Sequence, residues 1–467
     1  MVSLRGRWRP TLASAVVLIL GVITGCGGPD ASSDAGSVSS ASTTTSTTPA
    51  NVYEQQRAAG VTRLLDELTE TITSGNLREV GVLLDDTATP AFKNRWVTAT
   101  ANFRPREFSR GGSDGRLRFA HFDYQLAPTE EAETLVPADV QGLLDAEGSS
   151  DSWVAPVELR YALGGERAPG VDESEVVVST QFVVARYGDE WKLVGDAEAL
   201  GGEPTPTQLW ELPALSVTDV ATAGGTSVIA SYPRTAQTVA NLRRLLPDAV
   251  DAVSAFWGDS WDRRAVVVAT SKPNEFEELV IQGRGVTGTA AAATVYNRVD
   301  YPRRTATGQR VVFTPAADDL AAPTLAVVLR HELTHVAARA QTALDAPLWI
   351  TEGVAEFVGR KGTYTRFADA APDLTEAIRA GDVPAGLPDD AAFAMDGATS
   401  EVAYQSAWSM AAYVADRYDE ARLKRLYLGV AATADPARQD AAIRAALGVD
   451  RSELVAGWGR WLDGQVR

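Results

Sequence analysis

His331-Glu332-Leu333-Thr334-His335 and, after a short connection, Pro347-Leu348-Trp349-Ile350-Thr351-Glu352-Gly353-Val354-Ala355-Glu356-Phe357 are the two stretches that decide the fold. The 467-residue chain has three histidines, and two of them are four residues apart here. Residues 320–340 read as one helix, with Asp318 or Asp319 as its cap and Pro323 in its first turn. On a helix that spacing stacks both imidazoles on one face, where they can grip a single cation. Glu332 lies beside that face, able to reach a water without taking a ligand position.

Neutral imidazoles suit Zn2+, and a catalytic zinc takes three protein ligands and keeps one open position. Glu352, 17 residues past His335 on a second helix opened by Pro347, is the third candidate ligand. Glu356, one turn further, can accept the N–H of a liganding histidine and fix its tautomer. Gly353 and Ala355 would let the two helices approach closely. Packed histidines and a surface helix with two scattered carboxylates would give the same letters without a metal.

The pair HELTH and PLWITEGVAEF resembles the gluzincin metallopeptidases, in particular the bacterial peptidase MA-like group, over roughly residues 240–465. The resemblance implies zinc held by His331, His335 and Glu352, with Glu332 as general base. It also implies a small sheet packed on the motif helix, with an edge strand that aligns a peptide substrate; residues 293–296 would be that edge. Related aminopeptidase-type members place a tyrosine at the start of a later helix to donate to the tetrahedral oxyanion. Tyr404 is the matching position, and packing beneath the active-site floor is the equal alternative. No GxMEN-like segment for gripping a free amino terminus is present, which points to an endopeptidase or an unusual substrate.

At the N-terminus, Arg5, Arg7 and Arg9 precede an apolar stretch over residues 12–23, short for a membrane span but ordinary for a signal peptide. Ile23-Thr24-Gly25-Cys26 resembles a bacterial lipoprotein cleavage box. That implies a signal peptide over residues 1–25, lipid on Cys26 and a cell-membrane, extracytoplasmic location, in an actinobacterial type of lipoprotein. Cys26 is the only cysteine, so no intramolecular disulfide can form. Residues 26–50, almost all Ser, Thr, Gly, Ala and Pro, read as a disordered tether. Formal charge is −18, from 61 acidic against 43 basic residues, which speaks against nucleic acid as a partner.

The remaining length suggests two domains. Residues 51–203 read as α+β: a helix carrying Leu64, Leu65, Leu68 and Ile72, pieces at 77–84 and 91–101, then strands at 117–126, 153–161, 176–186 and 191–194. The last two are joined by a tight Tyr187-Gly188-Asp189-Glu190 turn. Helices before a curved antiparallel sheet resemble NTF2-like or cone-shaped folds. His121, in an alternating strand, reads as packed or surface rather than as a ligand. Residues 204–467 form the second domain, zincin-like and mainly helical with a small sheet. A helix over 235–256 that Pro247 can kink or split precedes strands at 264–270, 293–296 and 309–314. The polar stretch 364–399 reads as a loop or lid, and Gly283, Gly285 and Gly288 as a turn. The composite expectation is a lipid-anchored zinc endopeptidase acting on peptides or proteins. A non-enzymatic lipoprotein on a degenerate scaffold and a zinc hydrolase of other amides are the competing classes.

Overall fold

A computed structural model describes residues 51–104, 115–128, 134–164, 171–202, 205–280, 291–395 and 397–467. The signal segment, Cys26, the tether and the glycines at 283, 285 and 288 lie outside them. The chain divides into two compact units, and the second takes its main run from Ser216 onward.

The first unit opens with α1 (Val52–Ser74), capped by Asn51, whose side chain accepts the Tyr53 amide, and ended by Gly75 in the left-handed region. Val61, Leu64, Leu65, Leu68 and Ile72 form its buried stripe. Then come α2 (Leu77–Leu83) and α3 (Pro90–Phe103), the latter with Thr89 as cap and Pro90 in its first turn. β1 (Phe119–Leu126), β2 (Asp151–Leu163), β3 (Val176–Tyr187) and β4 (Glu190–Gly195) pair in sequence order as an antiparallel sheet. The β3–β4 turn is the one expected, with Gly188 at φ 65° supplying the backbone that a two-residue loop demands. Register shifts at Phe119/His121 and Val183/Val184 mark irregularities of the kind that bend a strand, and the sheet is curled. The unit is therefore the NTF2-like α+β arrangement. His121 is half exposed, lies 3.9 Å from Glu175, and belongs to no metal-ligating group among the described residues.

One helix of this unit has a weak sequence signal. α4 (Ala138–Ala146), between β1 and β2, has no side-chain cap and buries only Leu144 fully. A second feature is tertiary. A short 3-10 turn (Leu209–Glu211) places Trp210 edge-on against Phe119, Phe122 and Tyr161, with ring centroids 5.3, 5.5 and 4.9 Å away. Buried Asn102 holds this segment, donating to the Trp210 and Leu212 carbonyls at 2.8 Å and accepting the Leu215 amide at 3.1 Å. Trp210→Ala should therefore cost the unit about 3–5 kcal/mol, the range for emptying an aromatic core site. Urea unfolding followed by circular dichroism measures it; a change within about 0.5 kcal/mol would show that the ring fills no essential space.

The second unit is built on a five-stranded sheet of order β5-β6-β7-β11-β8. β5 (Ser216–Thr222) and β6 (Gly225–Ser231) form a hairpin that the half-polar sequence conceals. α5 (Ala236–Trp257) crosses over to β7 (Val266–Ala269), parallel to β6, and Pro247 lies inside it without splitting it. α6 (Pro273–Val280) follows. β8 (Ala292–Val295) lies at the sheet edge, antiparallel to β11 (Arg310–Phe313), as an aligning strand must. Between them β9 (Arg298–Asp300) and β10 (Thr305–Thr307) make a small separate hairpin.

α7 (Ala322–Ala338) carries the first motif. Neither Asp318 nor Asp319 caps it. Both fall in a 3-10 turn, Asp318 accepts from the Thr238 hydroxyl at 2.9 Å on α5, and Ala321 precedes the helix with no side-chain cap. Pro323 is in the first turn, as expected. α8 (Leu348–Arg360) carries the second motif. Its leading Leu348 amide is satisfied by the Asp390 carboxylate at 2.8 Å, from far along the chain. The stretch expected as loop or lid contains three short helices, α9 (Phe367–Ala370), α10 (Pro372–Arg379) and α11 (Asp390–Phe393), which bury Leu374 and Phe393. α12 (Ala398–Arg417), α13 (Glu420–Val430), α14 (Pro436–Leu447) and α15 (Arg451–Val466) complete a mainly helical unit around a large core, with a smaller apolar cluster at Phe393, Ala403, Tyr404 and Ala407. No described helix is long and apolar enough to cross a membrane.

Candidate metal centre

Three side chains from α7 and α8 converge. His331 Nε2 and His335 Nε2 are 2.9 Å apart, and Glu352 Oε2 lies 3.3 Å from the first and 3.7 Å from the second. Zinc–ligand bonds of about 2.0–2.1 Å in a tetrahedron put ligand atoms about 3.3 Å apart, and the observed separations bracket that value. Among the described residues this is the one group of three or more metal-ligating side chains. Glu352 Oε2 has no hydrogen-bond partner although it is buried. With His331 deprotonated, three lone pairs face one point in a largely buried site, an arrangement that a cation satisfies, so the residues fit the ion. The donor set, two imidazoles and a carboxylate with no thiolate, is that of a catalytic zinc site.

The surroundings fix each ligand. His331 Nδ1 lies 3.3 Å from Glu356 Oε1, without the alignment of a hydrogen bond, and the carboxylate there favours a proton on Nδ1. Glu356 in turn pairs with Arg360, whose guanidinium also donates to the Ala370 carbonyl and lies 5.9 Å from the Trp408 ring centroid. Burial alone would raise the Glu356 carboxyl; Arg360, and then His331, overrule it and hold it down to about 2. For His331 burial disfavours the charge, but Glu352 and Glu356 on either side hold it up at about 10 in the metal-free protein. A proton there must leave before a metal binds, so affinity falls as pH falls. Burial, with the positive charges of His331 and Arg339, pushes His335 well down, and burial pushes Glu352 up. His335 is the most open of the three ligands, with 11% of its side chain exposed.

Glu332 is fully buried beside the cluster. Its Oε2 accepts from the Thr294 hydroxyl of β8 at 2.7 Å, and its Oε1 has no partner. Burial pushes its carboxyl up to about 7. Tyr404, on α12, is buried and packs edge-on against Phe393, with ring centroids 5.0 Å apart. Burial and then the Glu352, Glu356 and Glu332 charges raise its phenol. Its packing with Phe393, Ala403 and Ala407 is that of a residue in a small apolar cluster beside α8.

The helix contacts differ from expectation in one respect. A side chain at Gly353 would meet the Ala407 carbonyl of α12 at 2.5 Å, so Gly353 serves α12 rather than α7. Gly359 is the glycine that lets α7 close on α8: a Cβ there would come within 2.9 Å of the Val327 carbonyl and 3.3 Å of His331 Cβ. Gly359→Ala should push the helices apart, cost about 1–3 kcal/mol and weaken zinc binding through His331. Thermal melts with and without zinc, and zinc titration against a competing chelator, measure both; unchanged affinity would count against this role.

Sequence reading missed Thr294 and Arg360. Arg360 had a signal, since it lies four residues beyond Glu356 on one helix. Thr294 had a fainter one, the lone hydroxyl in the run Ala291-Ala292-Ala293-Thr294-Val295.

No family model matches the chain, and no curated protein matches it. Among solved structures it is similar to the M1 zinc metallopeptidase from Deinococcus radiodurans. A mutant of that protein shares 11% identity at a TM-score of 0.29, over 60% of this chain and 59% of that chain. The same mutant bound to a Tyr-Ser-Ala substrate shares 13% at 0.29, over 77% and 74%. The unmutated protein shares 12% at 0.29, over 76% and 73%. In the first match this chain spans about three fifths of the neighbour's length. At that TM-score the overall likeness carries no argument, and the chemistry rests on the chain's own residues: HExxH with a glutamate on the next helix, the gluzincin pattern.

Proposed function

We propose that this protein is a zinc-dependent peptidase, an endopeptidase held by lipid on Cys26 at the outer face of the cytoplasmic membrane. The observation that supports it best is the convergence of His331, His335 and Glu352 within 3.7 Å of one another beside a buried glutamate with one free oxygen. A zinc ion held there supplies Lewis acidity for the scissile carbonyl and lowers the pKa of a water towards neutrality. Glu332 Oε1 is placed to take a proton from a water at the site and would pass it to the leaving amine. Tyr404 is the candidate donor to the developing oxyanion. β8 offers a sheet edge with no described neighbour on its outer side, where an extended peptide can pair through its backbone.

Digestion of an unfolded protein by the soluble chain from Asn51 onward, with mass spectrometry of the products, tests the reading. Internal cleavage supports it; zinc near one per chain with no cleavage of any polypeptide overturns it. Cys26→Ser should move the full chain from the membrane fraction to the soluble fraction if the anchor reading holds.

The base sets a pH dependence. Glu332 must be ionised to act, so kcat/KM should rise with pH and level off above its pKa. That pKa is about 7 without metal, and the nearby cation moves it lower. A profile measured from about pH 5 to pH 8 should show this acid limb; activity that falls across that range as pH rises would contradict the assignment.

A further inference from the structure

We propose that Thr294 is a positioning residue for Glu332, so that one edge strand both borders the substrate path and holds the base. The inference rests on the peptidase reading. β8 has four residues, Ala292, Ala293, Thr294 and Val295, and Thr294 is the only one whose side chain can hydrogen-bond. Its hydroxyl carries one proton and has two acceptors within reach, both on the same residue: Glu332 Oε2 at 2.7 Å and the Glu332 backbone carbonyl at 3.2 Å. The shorter bond to the carboxylate is the stronger, since an ionised acceptor strengthens it.

The bond divides the work of the two carboxylate oxygens. Oε2 already accepts from Thr294, and Oε1 is buried and unpartnered, so Oε1 is the oxygen with both lone pairs open to receive a proton. Thr294 and Glu332 are both buried, which keeps water from substituting for the hydroxyl. Without it the carboxylate is free to rotate, and Oε1 no longer holds one place relative to the ligand cluster. The outer edge of β8 is the side on which a peptide backbone can add, so the strand that would carry the substrate also carries the residue that holds the base.

The test compares Thr294→Val, which keeps shape and loses the donor, with Thr294→Ser, which keeps the donor. In Thr294→Val, kcat should fall about tenfold to a hundredfold with KM and zinc content unchanged. Thr294→Ser should stay within about threefold of the wild type. In crystals, Glu332 should take one rotamer in the wild type and Thr294→Ser, and a rotated or split one in Thr294→Val. The crystallographic arm does not depend on turnover. If the wild type cleaves nothing while the rotamers behave as stated, the peptidase reading fails and only the structural half stands, that Thr294 holds the Glu332 carboxylate. A single, unmoved Glu332 rotamer in Thr294→Val, or a Thr294→Ser enzyme as slow as Thr294→Val, overturns it.

Discussion

Glu332→Gln should reduce peptide hydrolysis by at least about a hundredfold to ten-thousandfold while leaving zinc at one per chain, since a positioned general base contributes that much. The amide has nearly the volume of the carboxyl group, so the buried slot between α7 and β8 remains filled. Its oxygen can still accept from Thr294, and its nitrogen then lies where Oε1 was. That group cannot take a proton, and catalysis stops at the first transfer. Metal binding persists because Glu332 is not one of the three converging ligands. Stability of the metal-free protein should rise slightly, because the variant lacks a buried carboxyl whose ionised form burial disfavours. Steady-state rates with atomic-absorption zinc analysis check both halves. A variant that keeps zinc and more than about a tenth of the activity would remove Glu332 from the mechanism.

Glu352→Ala should lose zinc altogether, and activity with it. Two imidazoles alone leave the cation with only neutral donors, and in the observed geometry Glu352 Oε2 closes the third corner. Apparent folding free energies from zinc sites reach about 10–16 kcal/mol in small domains, so loss of one ligand of three removes a large share of the binding. Stability distinguishes this variant from a merely misfolded one. Burial raises the Glu352 carboxyl in the metal-free state. A folded pKa above the unfolded one means that the metal-free fold loses stability as pH rises from the ordinary carboxylate range through the raised value. At neutral pH the gain from removing that carboxyl is set against the loss of a buried partner for protonated His331, so metal-free Glu352→Ala should melt within a few degrees of metal-free wild type. Chelator should lower the melting temperature of the wild type and leave that of the variant unmoved. Calorimetry with and without chelator gives the four values; a variant that still responds to chelator would place the third ligand elsewhere.

Much of the N-terminal unit was legible because its signals are local. The stripe Leu64, Leu65, Leu68 and Ile72 has helical period, and Gly188-Asp189 lies between two alternating strands. α4 was not legible, with one fully buried residue and no cap. The hairpin of β5 and β6 was hidden because β5, at the sheet edge, tolerates polar residues, and β6, though interior, mixes Thr226, Ser227 and Ser231 with its apolar residues. The cap of α7 went astray for a different reason: Asp318 has the right chemistry for a helix start but is taken by Thr238. For α8 the reverse holds, since the group that satisfies its first amide, Asp390, is 42 residues away.

By itself the sequence determined the metal chemistry, since the 3.6-residue period places His331 and His335 on one face, and a glutamate opens the next helix. The tertiary structure alone decided how that chemistry is held. Which oxygen of Glu332 is free depends on a threonine 38 residues earlier on an edge strand, and which glycine admits α7 depends on how three helices cross. Local spacing follows from backbone geometry, whereas a contact between distant segments exists only once the core between them has packed.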